Sequence, residues 1–144
     1  MAKTHITYEK GIVEIPILQD AIGLSDPNPM TTNSVPILVA GAKGVGFEVV
    51  GASITTRSAV CTVTVSMDGG TTFRAYSMLV SNAANTNAQN YTRVASVTAA
   101  ATGVTNFWMD PLTLPGITHI KFTTVITDSG TPAGTFTVRA VITF

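Results

Sequence analysis

Residues 35–144 form a nearly unbroken series of short, β-branched, Thr-rich segments separated by Gly and Asn turns. Segments of this kind alternate apolar and polar side chains with a period of two, and only a strand converts that period into one buried and one wet face. Residues 35–40 and 45–55 read as two strands around a turn at 41–44, and residues 59–67 read as a third. The stretch Met67-Asp-Gly-Gly-Thr-Thr-Phe73 supplies the positive φ angles that tight hairpins require, so it is expected to join residues 60–67 to 72–80. Strands resume at 91–100 and 104–109 after the small, polar stretch 81–90, which has the composition of an exposed loop. A closing hairpin is expected from arms 117–127 and 135–144 joined by 128–134. Phe136, Val138, Ala140, Ile142 and Phe144 share one face of its second arm, against Thr135, Thr137, Arg139 and Thr143 on the other. About eight strands with no helical period predict an all-β fold: an antiparallel β-sandwich or barrel, the jelly-roll type included.

Residues 1–34 differ in character and are read as an extended N-terminal arm, distinct from a domain at 35–144. Ile12, Val13, Ile15, Ile17 and Leu18 make an extended apolar segment, but Pro16 has no N–H to give to a ladder. An edge strand or a free arm is expected there, not a central strand. Residues 19–34 combine prolines, asparagines and hydroxyls with Ile22, Leu24 and Met30. These hydrophobes either pack on the chain's own domain or dock on a neighbouring subunit.

A chain of 144 residues makes one ordinary domain. Only 11% of its residues are charged, against roughly 25% in typical soluble domains, and Thr, Ser and Asn take their place. A neutral chain of this kind is suited to burying surface against partners, so an assembly component is expected. Eight basic residues balance eight acidic ones, which removes the counterion release that nucleic-acid binding relies on. No apolar stretch reaches the roughly 20 residues of a membrane span, and the first ten residues have no signal-peptide pattern. Synthesis in a host cytoplasm is the corresponding expectation, with neither nucleic acid nor membrane as partner.

Residues that carry chemistry are sparse. Cys61 shares a strand face with Val63 and Val65, which points to a buried, inert thiol. His5 and His119 have no ligand partner at metal spacing, and His119 falls on the polar side of its strand. Asp68 and Asp128 sit in Asp-Gly-Gly and Asp-Ser-Gly turns that lack the rest of a calcium loop. Ser77, His119 and Asp110 compose a triad only on paper, Glu48 and Asp110 are a loose carboxylate pair, and residues 41–46 lack a phosphate loop's ending. No enzyme, metal or cofactor is expected. Phe107 and Trp108 face opposite ways on one strand, so one of the two is exposed or at an interface. For Trp108 core packing is the first reading, with a subunit contact or a carbohydrate platform behind it.

The Pro-interrupted stretch 11–33, the hairpin Val63-Thr-Val-Ser-Met-Asp-Gly-Gly-Thr-Thr-Phe-Arg74 and the closing Thr-rich segment ending at Phe144 together resemble the head decoration (auxiliary, or cement) proteins of tailed bacteriophages. The resemblance implies a β-sandwich or barrel that forms a homotrimer on the capsid surface of a virion. Such a protein binds the major capsid protein and lays its arm on neighbouring subunits, here through Ile12, Val13, Ile15, Ile17, Leu18, Ile22, Leu24 and Met30. A tail or fibre-associated binding module is the alternative, with loop 81–90 and Trp108 arranged for carbohydrate.

Overall fold

The computed structural model describes the backbone of residues 3–8, 11–23, 28–81 and 91–144, and within those ranges the side chains from Glu14 onward. Among the described residues, eleven strands form one antiparallel sheet. They are β1 (Lys3–Tyr8), β2 (Gly11–Ile22), β3 (Met30–Asn33), β4 (Ile37–Leu38), β5 (Gly44–Ser66), β6 (Arg74–Tyr76), β7 (Met78–Ser81), β8 (Tyr91–Val94), β9 (Val97–Ala99), β10 (Gly103–Trp108) and β11 (His119–Thr143). A turn of 3-10 helix, Pro111–Thr113, follows β10. The all-β antiparallel class read from the period of two is the class observed.

The sheet is organised by two very long strands. β5 and β11 run antiparallel along their whole length, from His119 opposite Ser66 to Thr143 opposite Gly44. Midway the ladder is interrupted, with Asp128 opposite Arg57 and then Ala133 opposite Thr55. At that point Ser53 and Thr56 take φ of 54° and 47°, and Gly130 and Gly134 take 59° and 90°. Both strands therefore bend together, and the sheet doubles over on itself. The first layer holds β2, the second half of β11, the first half of β5, then β10, β7 and β8. In the second layer β3, β4, β6 and β9 flank the other halves of β5 and β11. Phe47 and Phe107 from the first layer meet Phe122 from the second, with ring centroids 5.5 and 6.0 Å away. Val49, Phe136, Val138 and Ile142 join Cys61, Val63, Ile120 and Ile126 in the same buried cluster.

Arg57 fastens the bend. Its Nε and Nη2 donate to the two carboxylate oxygens of Asp128 at 2.6 and 2.9 Å, while Nη1 donates to the carbonyl of Gly134. The bidentate fork holds Asp128 below the usual carboxylate range and raises Arg57. A side chain at Gly134 would put its Cβ 2.4 Å from the Ala52 carbonyl oxygen, so the backbones approach too closely for any other residue.

Several expectations require correction. The closing hairpin is not a hairpin, because residues 117–127 and 135–144 both pair with β5 and the chain between them bulges without reversing. Likewise 45–55 and 59–67 are one strand bent by Ser53 and Thr56, not two. Residues 11–18 are not confined to an edge: β1 pairs with β2 on the side away from β11. Pro16 is tolerated because it stands opposite Lys3, the last pair of that ladder, so β2 is again an edge from Ile17 onward. Within residues 1–34, β2 and β3 both pair with β11. A bulge there turns the consecutive residues Leu18 and Gln19 both inward, and Gln19 bonds the Thr32 carbonyl and the Thr124 hydroxyl. The expected hairpin at 67–73 does form and joins β5 to β6. Asp68 shapes it by accepting from Ser66 Oγ at 2.6 Å and from the amides of Thr71 and Thr72.

Candidate functional site

Along the first half of β5 the outward positions are Gly44, Gly46 and Glu48, and two consecutive outward positions without a side chain hollow a trough into the sheet. The registers supply its walls. Gly46 stands between Trp108 of β10 and Val141 of β11, and Gly44 stands opposite Thr143. Glu48 lies between Asn106 and Arg139 in the next row, and Glu48 and Asn106 give one end of the trough its polar groups. Leu79, opposite Trp108, extends the wall, and Tyr91 closes it. The resulting groove has a volume of about 570 Å³ and is lined mainly by apolar surface.

Trp108 is the largest feature of this groove and is 37% exposed. Its neighbour Phe107 is fully buried, so the alternation of the strand sends one ring into the core and the other out. Core packing of Trp108, the first reading of the sequence, is thereby corrected. A Cβ on Gly46 would lie 3.1 Å from Trp108 Cδ1, which places the edge of the indole over the glycine. Tyr91 packs edge-on against the same ring, with centroids 5.8 Å apart and planes at 83°. These two contacts fix the orientation of the indole before anything binds. Glu48, Asn106 and Arg139 make no hydrogen bond or ion pair among the described residues and are free to take a ligand.

The arm residues divide. Leu18 is buried in the core, and Ile22 and Met30 pack partly against it. Ile15 and Ile17 are half-buried and face outward, in the same rows as Val141 and Arg139. The side chains of His5, Ile12 and Val13, all of Leu24, and residues 82–90 lie outside what is described. A second feature lies at the end where both long strands start and finish. Leu38 and Met67 flank the His119–Ser66 pair, and Leu112 projects from the 3-10 turn; they are 60%, 68% and 88% exposed.

Asp110 and His119 are engaged elsewhere, and Cys61 is buried. Asp110 accepts from the Leu112 amide at 2.9 Å and pairs with Arg93, and Tyr76 Oη accepts from the Asp110 amide at 2.8 Å. His119 Nδ1 meets Thr118 Oγ1 at 3.2 Å with its ring against Gly70. Burial pushes the Cys61 thiol up to about 12. Among the described residues no three His, Cys, Asp or Glu stand close enough to hold a metal. Sequence reading missed the trough, because Gly44 was assigned to the turn at 41–44 and Gly46 was weighed only as part of a phosphate-loop comparison. Two glycines spaced by two inside a strand were the available signal.

No protein-family model and no curated protein matches the sequence. A solved structure does share the fold: the crystal structure of the SPBc2 prophage-derived protein YomS matches with a TM-score of 0.58 at 12% identity, over 96% of this chain and 99% of that one.

Proposed function

We propose that this chain is a structural protein of a bacteriophage particle, bound as a trimer to the outside of the head, where it braces the shell. The observation that carries the reading is the fold shared with a prophage-derived protein over nearly the full length of both chains. The low charge and the apolar end formed by Leu38, Met67 and Leu112 suit a subunit that buries part of its surface on a lattice of copies. In this reading the apolar end contacts the major capsid protein, and the two sheet layers give a stiff body. The groove at Trp108 favours a second reading, a tail or fibre-associated binding module.

The test is density-gradient sedimentation of particles released from cells that carry the gene, with heads and tails separated and the protein followed by antibody. Co-sedimentation with heads, lost on M67D/L112D substitution, is the expected result. Recovery with tails alone would transfer the protein to the second reading, and absence from particles altogether would refute both.

A further inference from the structure

We propose that the trough over Gly44 and Gly46 is a binding site for a neutral oligosaccharide, whose pyranose ring stacks on Trp108. The inference stands on the geometry of the groove and does not depend on where in a particle the protein sits. Sugars present two surfaces at once, a face of weakly positive C–H groups and a rim of hydroxyls that both donate and accept hydrogen bonds. The groove offers a partner for each. The electron-rich face of an indole attracts the C–H face, and Trp108 is held ready by Gly46 beneath its edge and Tyr91 against its side. Because the ring is already fixed, little rotamer freedom is lost on binding.

At one end of the trough Glu48 accepts and Asn106 both donates and accepts, in a cross-strand row that Arg139 continues beyond the groove's lining. That set is close to neutral and spans both hydrogen-bonding roles, as hydroxyl recognition demands. A single-stranded nucleic acid would also stack on Trp108, but its phosphates need a basic track, and Glu48 stands in the row where such a track would run. An apolar peptide would leave Glu48 and Asn106 desolvated without partners. The volume of about 570 Å³ falls within the range of small-ligand clefts and admits sugar rings.

The experiment uses the full chain on a printed array of neutral bacterial cell-wall, capsular and O-antigen oligosaccharides. Any glycan that binds is then titrated in solution, with the fluorescence of the only tryptophan as the signal. Binding is expected to quench or shift that emission. Gly44→Val fills the trough where its Cβ meets only Thr143, at 3.4 Å; this variant is expected to fold and to weaken binding at least about tenfold. N106A, on the exposed rim, is expected to act in the same direction, and Trp108→Ala to abolish the interaction. No bound glycan on the array from protein with native circular dichroism would overturn the proposal, as would full affinity in folded Gly44→Val. A protein that binds glycan but is absent from particles would refute the phage reading and leave this one intact.

Discussion

The doubling-over of the sheet predicts a coupling between residues that lie far apart along the ribbon. Phe47 is on the first half of β5 and Phe122 on the first half of β11, which pairs with the second half of β5, so only the fold-over brings their rings to 5.5 Å. Phe122 also lies 6.0 Å from Phe107 and is fully buried. Truncating it to alanine removes a ring and leaves a cavity, at a cost of about 3–5 kcal/mol. A domain of this length has roughly 7–20 kcal/mol in total, so the alanine variant approaches the limit of folding. The cycle is better run with leucine, as F47L, F122L and the double variant, in urea with circular dichroism as the readout. The double variant is expected to lose less than the sum of the single losses, by about 0.5–1.5 kcal/mol, the coupling of an aromatic pair in contact. Additivity to within about 0.3 kcal/mol would mean that the rings do not touch and that the two halves of the ribbon do not face each other.

Gly134→Ala is expected to destabilise the fold by more than about 2 kcal/mol, because its Cβ would collide with two carbonyl oxygens at a φ of 90°, whereas G41A, in open space, costs about 1 kcal/mol; thermal melts separate the two. Asp68 and Asp128 both titrate below the ordinary carboxylate range in the folded state, so the stability they confer is complete above about pH 5 and is lost as the pH falls through their depressed values. The urea midpoint is therefore expected to be flat from pH 8 to about 5 and to fall below about 4, with a shallower fall in D68N/D128N; a midpoint that rises on acidification would contradict the hydrogen bonds described. Cys61 is fully buried with its thiol pushed up to about 12, so Ellman's reagent is expected to find no thiol in the native protein and one in denaturant.

The class of fold was legible because strand periodicity is a local property: Phe136, Val138, Ala140 and Ile142 declare their common face within one segment. What joins to what was not legible. The run 128–134 carries the Gly and Pro of a reversing loop, yet it forms a bulge, because both flanking arms find a partner in β5 and Arg57 clamps the irregularity. No residue within the segment announces a partner more than seventy positions away. Pro16 misled in a related way: its missing donor does limit the ladder, but only from that residue onward, and β1 still pairs with the part before it. For the candidate site, the opposed faces of Phe107 and Trp108 were read correctly as a pair, while the depth that makes Trp108 accessible comes from Gly46 on another strand. The arm residues separated into inward Leu18 and outward Ile15 and Ile17 through a bulge that no sequence pattern marks.

The continuity of β5 and β11 through the bend has a kinetic consequence. In an ordinary sandwich each sheet can zip up separately and the two can then dock. Here Ser66 must find His119, and the same pair of strands must go on pairing, past the bulge, until Gly44 meets Thr143 on the other side. Most of the strand pairing, above all that of β5 with β11, closes long loops, so the chain is expected to fold slowly, on the scale of milliseconds to seconds. Once formed, neither layer can open without pulling the other out of register. The two therefore exchange their slowest amide hydrogens with deuterium together, as one unit.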